Sequence, residues 1–329
     1  MNITVLGAGA WGTALAIYLS ARHHVTLWTR NTGHLAELAA LRVNQRYLPG
    51  QHLPDSIHLA SALSDALERA ELVLIVVPVA GLRVTLQRIA ALNQSLPLVL
   101  GCKGFEAGTA KLPCQVVEDV YSAEITCGVL SGPSFAQEVA MGLPAALTLA
   151  SDDDAFARRI ASEIHTSILR VYSSSDVVGV EVGGALKNVI AIAAGISDGL
   201  AFGNNARAAL ITRGLAEITR LGVALGGHRK TFTGLSGIGD LILTCTGDLS
   251  RNRQVGMMLA AGRQLPEILL EIGHVTEGVY TVREAHEMGR QLQIDMPVTQ
   301  AVYSILYEQI PVESAIRDML DREPGAETD

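Results

Sequence analysis

Four polar clusters interrupt a chain otherwise filled by Ala, Leu, Val, Ile and Gly, and each carries side chains able to move a proton or grip an anion. In Gly183-Gly184-Ala185-Leu186-Lys187-Asn188, a lysine and an asparagine sit within a helical pattern of small and apolar residues, and 189–196 carry no charge. Such a lysine either snorkels to solvent or is held in a site. The paired glycines one turn earlier leave room for another group to approach the helix. Gly101-Cys102-Lys103-Gly104 follows a strand-like run, and ligands of open α/β sheets bind at the carboxyl ends of strands. Ser131-Gly132-Pro133-Ser134 also follows a strand pattern; its glycine and hydroxyls suit a ligand contact or a plain turn. The last cluster is Gly234-Leu235-Ser236-Gly237-Ile238-Gly239-Asp240, continuing to Ser250-Arg251-Asn252-Arg253. Asp240 reads as a helix cap or a site acid. Arg251 and Asn252 read as surface residues or as an anion site, where a guanidinium grips phosphate bidentately and a helix start adds N–H donors. Together the clusters suit reduction of a carbonyl on a small phosphorylated substrate. Hydride goes to the carbonyl carbon, and the oxygen, becoming anionic, needs a proton and a nearby cation.

A hydride source is written at the start of the chain. Gly7, Gly9 and Gly12 stand in G-x-G-x-x-G spacing between an apolar run at 3–6 and a helical segment at 13–19, with a second strand at 25–28. In this strand–turn–helix–strand setting Gly7 permits the tight turn, Gly9 lets backbone approach a pyrophosphate, and Gly12 lets helix and strand pack closely. The helix start offers N–H groups and a positive dipole end to the phosphates. A site for NAD usually places a carboxylate at the tip of the second strand. Here the tip reads Trp28-Thr29-Arg30-Asn31, so Arg30 facing a 2′-phosphate is expected, with NADP(H) preferred and NAD(H) as the alternative.

These residues need a scaffold. Strands are expected at 3–6, 25–28, 72–77, 97–101, 126–130, 145–150 and 169–172, with helical patterns between several of them. Continuous apolar runs such as Leu72-Val73-Leu74-Ile75-Val76-Val77 suit a parallel sheet buried on both faces. The fold class is α/β: an N-terminal, doubly wound Rossmann-type sheet over residues 1–175, then an all-helical domain over 176–329 that brings the substrate and catalytic residues. Helices are expected at 180–196, 208–221, 253–261, 266–272, 279–292, 298–306 and 311–320, with a frayed polar end at 323–329. Hydrophobic residues make up 49% of the 329, enough for two cores, and the net charge of −8 argues against a nucleic-acid partner. The longest apolar runs fall short of a membrane span, and Met1 opens directly into a strand, so neither membrane insertion nor a signal peptide is expected. Cys102, Cys114, Cys127 and Cys245 have no metal-ligand spacing, and no metal is expected. Reduced thiols point to the cytoplasm. A homodimer is compatible with all of this.

The chain resembles the bacterial type of NAD(P)-dependent glycerol-3-phosphate dehydrogenase. The resemblance rests on G-A-G-A-W-G-T-A-L (7–15), C-K-G (102–104), S-G-P-S-F-A (131–136), G-G-A-L-K-N-V-I-A-I-A-A-G (183–195), R-G-L-A-E (213–217), G-I-G-D-L-I-L-T-C (237–245) and S-R-N-R (250–253). It implies interconversion of dihydroxyacetone phosphate and sn-glycerol 3-phosphate, the entry to glycerophospholipid synthesis. It implies that Lys187 gives and takes the proton, that Lys103 is the second lysine of the site, and that Asp240 holds the substrate hydroxyl and orients the lysine. Gly132, Ser134, Asn188, Ser250, Arg251 and Asn252 would meet the substrate. Ala10, Trp11, Arg30, Tyr47, Lys103, Ala136, Arg251, Val275 and Glu277 would meet the cofactor. The family often has a hydroxyl residue at position 10; with Ala10, a backbone N–H would take over that phosphate contact. Two other readings remain: a related two-domain hydroxy-acid reductase, which would need a carboxylate site instead of a phosphate site, and an NADPH-binding sensor, which would not need the Lys103–Lys187–Asp240 set.

Overall fold

In the computed structural model, which describes residues 1–92, 95–121, 125–273 and 275–320, a βα alternation occupies the first half. The strands are β1 (Asn2–Leu6), β2 (His24–Trp28), β3 (Val43–Asn44), β4 (Leu48–His52), β5 (His58–Ala60), β6 (Leu72–Ile75), β7 (Leu98–Leu100), β8 (Cys127–Ser131), β9 (Ala145–Ala150) and β10 (Leu169–Ser174). Eight of them form one sheet in the order β10-β9-β8-β7-β6-β1-β2-β5. Alternate residues of β6 serve opposite cores: Leu72 and Leu74 join one apolar cluster, Val73 and Ile75 the other. This two-sided burial explains the unbroken apolar run, since helices cover both faces.

The sheet departs from the sequence expectation in three ways. β8 and β9 run antiparallel, with Val129 opposite Ala150 and Ser131 opposite Thr148. The only helix between them, Ala136–Ala140, is five residues long and does not carry the chain back across the sheet. A three-residue edge strand, β5, lies beyond β2. The β3–β4 hairpin was also unanticipated, because Leu48-Pro-Gly-Gln-His shows no alternating pattern. Asn44 ties this hairpin to the glycine turn: its Nδ2 donates to the Ala8 carbonyl (2.9 Å) and to Thr13 Oγ1 (2.7 Å).

Beyond Ser174 the described elements are helical. The helix Val177–Gly199 forms the axis of this part. Asp176 caps it, Oδ1 accepting from Gly179 N–H (2.9 Å), while Oδ2 accepts from His228 N–H (2.9 Å) and the Thr231 hydroxyl. Its 23 residues, with a mean hydropathy of 1.6, are by length and composition alone enough to cross a membrane, although Glu181, Lys187 and Asp198 break the apolar run. Here the helix is wrapped instead by Gly203–Ala224, Asp240–Thr246, Arg251–Ala260 and Glu277–Gln291. Contact with Arg251–Ala260 is backbone to backbone. A Cβ on Gly195 would lie 2.0 Å from the Arg253 carbonyl oxygen, and one on Gly256 would lie 2.0 Å from that of Ile192. Phe105 and Leu112, on the loop after β7, insert into this helical core. The end at 323–329 lies outside the described residues.

Candidate active site

The site forms where the carboxyl ends of β7 and β8 meet the middle of the axial helix. Lys103 follows β7, Gly132 follows β8, Lys187 projects from the axial helix, and Asp240 opens the helix Asp240–Thr246 after a kink at Gly237. The Asp240 side chain is 1% exposed and carries two ammonium partners. Lys103 Nζ donates to Oδ2 at 2.7 Å, and Lys187 Nζ donates to Oδ1. Lys103 also reaches the Gly132 carbonyl (3.5 Å), which in turn accepts from Ser134 Oγ (3.0 Å). Gly184 gives the clearance the paired glycines foretold: a Cβ there would stand 2.9 Å from Ser131 Oγ and 3.6 Å from the Lys103 stem.

Electrostatics follow from burial. Loss of solvent pulls the Lys187 ammonium down to about 8; Asp240 opposes this and Lys103 adds to it. Burial alone would raise the Asp240 carboxyl, but the two ammonium groups outweigh it and hold the group below its ordinary value. The result is a lysine that exchanges its proton near neutral pH beside a permanent anion.

The second polar group lies at the start of Arg251–Ala260. Ser250 Oγ caps this helix by accepting from Arg253 N–H (3.3 Å). Asn252 Nδ2 donates to Asn188 Oδ1 (3.0 Å), and Asn252 Oδ1 accepts from Gly278 N–H (3.1 Å). Arg251 is exposed and, among the described residues, has no carboxylate within 4 Å. The chain thus presents a guanidinium with no carboxylate within 4 Å, though influenced by Glu277, a side-chain amide and a helix start together, all of which suit an oxyanion.

The glycine turn fits a dinucleotide. Gly7 has φ +118°, and a Cβ on Gly12 would fall 1.9 Å from the Gly7 carbonyl oxygen, so turn and helix close on each other. Gly9 faces open space, and the helix Ala10–Leu19 has no side-chain cap, which leaves its first N–H groups for phosphate. Ala10, Trp11 and Ala136 pack in one cluster with Leu48, beside Tyr47 on the hairpin. Arg30 is exposed at the tip of β2, and Val275 is 42% exposed on the loop before Glu277–Gln291. Glu277 accepts from Val79 N–H (3.2 Å), and burial pushes its carboxyl up to about 7 against the pull of that bond and of Arg251. Seven residues on, Glu284 accepts from Gly108 N–H (3.1 Å). One helix face therefore holds the loops after β6 and β7, the second of which bears Lys103.

Sequence profiles of known families match both halves: the N-terminus of NAD-dependent glycerol-3-phosphate dehydrogenase over residues 2–157, and its C-terminus over 176–317. The chain belongs to the NAD-dependent glycerol-3-phosphate dehydrogenase family. It is 99% identical over 329 residues to the glycerol-3-phosphate dehydrogenase [NAD(P)+] of Nitrosomonas eutropha, and 83% identical to that of Nitrosomonas europaea, with all of each chain covered. The crystal structure of glycerol-3-phosphate dehydrogenase from Coxiella burnetii superposes with a TM-score of 0.94 at 41% identity, over 98% of this chain and 99% of that one.

Within this family member, two site-lining features escaped the sequence reading. Thr244 Oγ1 donates to the Asp240 carbonyl (2.6 Å) and lies 3.5 Å from Asp240 Oδ1. Its place one helical turn after Asp240, inside G-I-G-D-L-I-L-T-C, was a usable signal. Asn44 had none, because its partners Ala8 and Thr13 are more than thirty residues away.

Proposed function

We propose that this chain reduces dihydroxyacetone phosphate to sn-glycerol 3-phosphate, reversibly, with NADP(H) preferred and NAD(H) accepted, and so feeds glycerophospholipid synthesis. The observation that carries this is the Lys103–Asp240–Lys187 centre together with Arg251 at the start of the helix packed against it. Residues 1–175 would hold the dinucleotide through Gly7, Gly9, Ala10, Trp11, Gly12, Arg30, Tyr47, Lys103, Ala136, Arg251, Val275 and Glu277. The bound cofactor supplies hydride. Residues 176–329 would complete the site for the substrate.

Lys187 is the group that protonates the developing alkoxide in reduction and takes the proton back in oxidation. Its acidity, at about 8, suits both directions near neutral pH. Lys103 keeps a second cation near the oxygen, which stabilises negative charge as it forms. Asp240 holds both ammonium groups in place and accepts the substrate hydroxyl. Arg251 and Asn252, with Ser250 shaping the helix start, receive the phosphate; Gly132, Ser134 and Asn188 line the approach. We place the reaction in the cytoplasm and take a homodimer as the assembly to test by sedimentation.

The discriminating assay follows NADPH and NADH oxidation with dihydroxyacetone phosphate and with unphosphorylated dihydroxyacetone. The phosphorylated substrate should be favoured at least about tenfold in kcat/KM, the effect of one charged hydrogen bond or more. Equal values for the two would overturn the phosphate reading, and turnover with neither would overturn the enzyme reading.

A further inference from the structure

Two arginines stand two residues apart at the start of Arg251–Ala260, and their surroundings differ. Arg253 is 9% exposed. Its Nε donates to Asp198 Oδ2 (2.7 Å), its Nη1 to Asp248 Oδ1 (3.0 Å), and its backbone N–H to Ser250 Oγ (3.3 Å). Asp198, whose side chain is 6% exposed, takes Arg207 Nε on its other oxygen (2.7 Å). Residues two apart on an α-helix point about 200° from each other. An Arg253 locked inward on Asp198 therefore turns Arg251 outward.

Asp198 lies eleven residues after Lys187 on the same axial helix. Eleven residues are close to three full turns, so the two share a face, about 16 Å apart. A single rigid rod thus carries the proton-donating lysine and the anchor of the helix that bears Arg251. Asn188, next to Lys187, holds the same helix start through Asn252. Backbone contact at Gly195 and Gly256 already limits how Arg251–Ala260 can turn about its own axis, and the Asp198–Arg253 pair resists the same rotation at the helix start.

We propose that Asp198 and Arg253 are positioning residues for phosphate recognition: their ion pair sets the rotation of Arg251–Ala260 and so aims the Arg251 guanidinium at the substrate's phosphoryl group. This rests on the reading of Arg251 given above. Asp198 and Asp248 also pair with Arg253, which keeps that guanidinium turned away from the substrate.

The test is Asp198→Asn, which keeps the shape and removes the charge. KM for dihydroxyacetone phosphate and the competitive inhibition constant of inorganic phosphate should rise together, by about tenfold, as expected for a misaimed charged group. The value of kcat/KM for unphosphorylated dihydroxyacetone at saturating NADPH should stay within about twofold, since that substrate does not require the aim of a phosphate-binding group. A purely structural role would lower Tm and reduce kcat/KM on both substrates alike, which would overturn the proposal. Arg253→Lys, which keeps the charge but loses the fork, should shift phosphate inhibition in the same direction by less, and guards against a folding failure of the first variant. Arg207→Ala removes the other partner of Asp198 and should leave both substrates unaffected. Arg251→Ala tests the phosphate contact apart from its positioning. If it shows no phosphate-specific loss, the underlying reading of the site fails; if it does and Asp198→Asn does not, only the positioning role fails.

Discussion

The lysine–aspartate centre and the rim carrying Arg30 and Arg251 treat positive charge in opposite ways. At the centre, two ammonium groups converge on one carboxylate that is 1% exposed. At the rim, each guanidinium is exposed and, among the described residues, has no carboxylate within 4 Å, although the Glu277 carboxyl acts on Arg251 from farther off. The chemistry requires the difference. A proton donor must have its acidity set in advance, which takes burial and a fixed counter-ion. A recognition cation must keep its charge for the ligand, because a partner already in place would have to be displaced. Arg253 shows the contrast within a single turn of helix: the same residue type, tied down by Asp198 and Asp248, serves geometry instead of binding.

Breaking the centre should have the largest effect. Lys187→Met removes the proton donor but leaves Asp240 paired to Lys103, so turnover should fall by ~10²–10⁴ with NADPH affinity close to wild type. Steady-state rates with a cofactor titration check this, and a variant retaining half its activity would remove Lys187 from the mechanism. At the rim, Arg251→Ala should reduce kcat/KM for dihydroxyacetone phosphate at least about tenfold, and much less for unphosphorylated dihydroxyacetone. Equal losses on the two would assign Arg251 to the cofactor or the fold. Arg30→Asp should move the NADPH/NADH ratio of kcat/KM toward NADH by about tenfold or more, since it removes a cation and adds an acceptor for the ribose hydroxyl. A ratio that moves less than about threefold, well below one charged hydrogen bond, would mean that Arg30 serves only the solvent.

The centre was legible because charge is conspicuous in an apolar sequence. Lys187 stands out in its helix, and Lys103 and Asp240 stand out among glycines. What could not be read is how those segments are held. Residue types do not encode strand direction, so the reversal between β8 and β9 was invisible. The short β3–β4 hairpin and its Asn44 tie depend on contacts remote in sequence. The four residues Ser250-Arg251-Asn252-Arg253 look alike as polar residues; helix phase and the distant Asp198 separate a charge turned outward from one turned inward. The sequence pattern marks the axial helix at 180–196, and its full extent, Val177–Gly199, follows from the Asp176 cap and from packing on all sides.

In this mechanism a buried lysine, held on a carboxylate, moves the proton in both directions. The pH dependence of kcat/KM, measured in both directions with the same protein, tests it most directly. Reduction needs the ammonium form of Lys187, and oxidation needs the neutral amine. With the group lowered by burial to about 8, the reduction limb should fall as pH rises through that value, and the oxidation limb should rise through it. Lys187→Met should erase both limbs. Profiles that move in the same direction, or that stay flat between about pH 7 and pH 9 where such a group must titrate, would contradict the account.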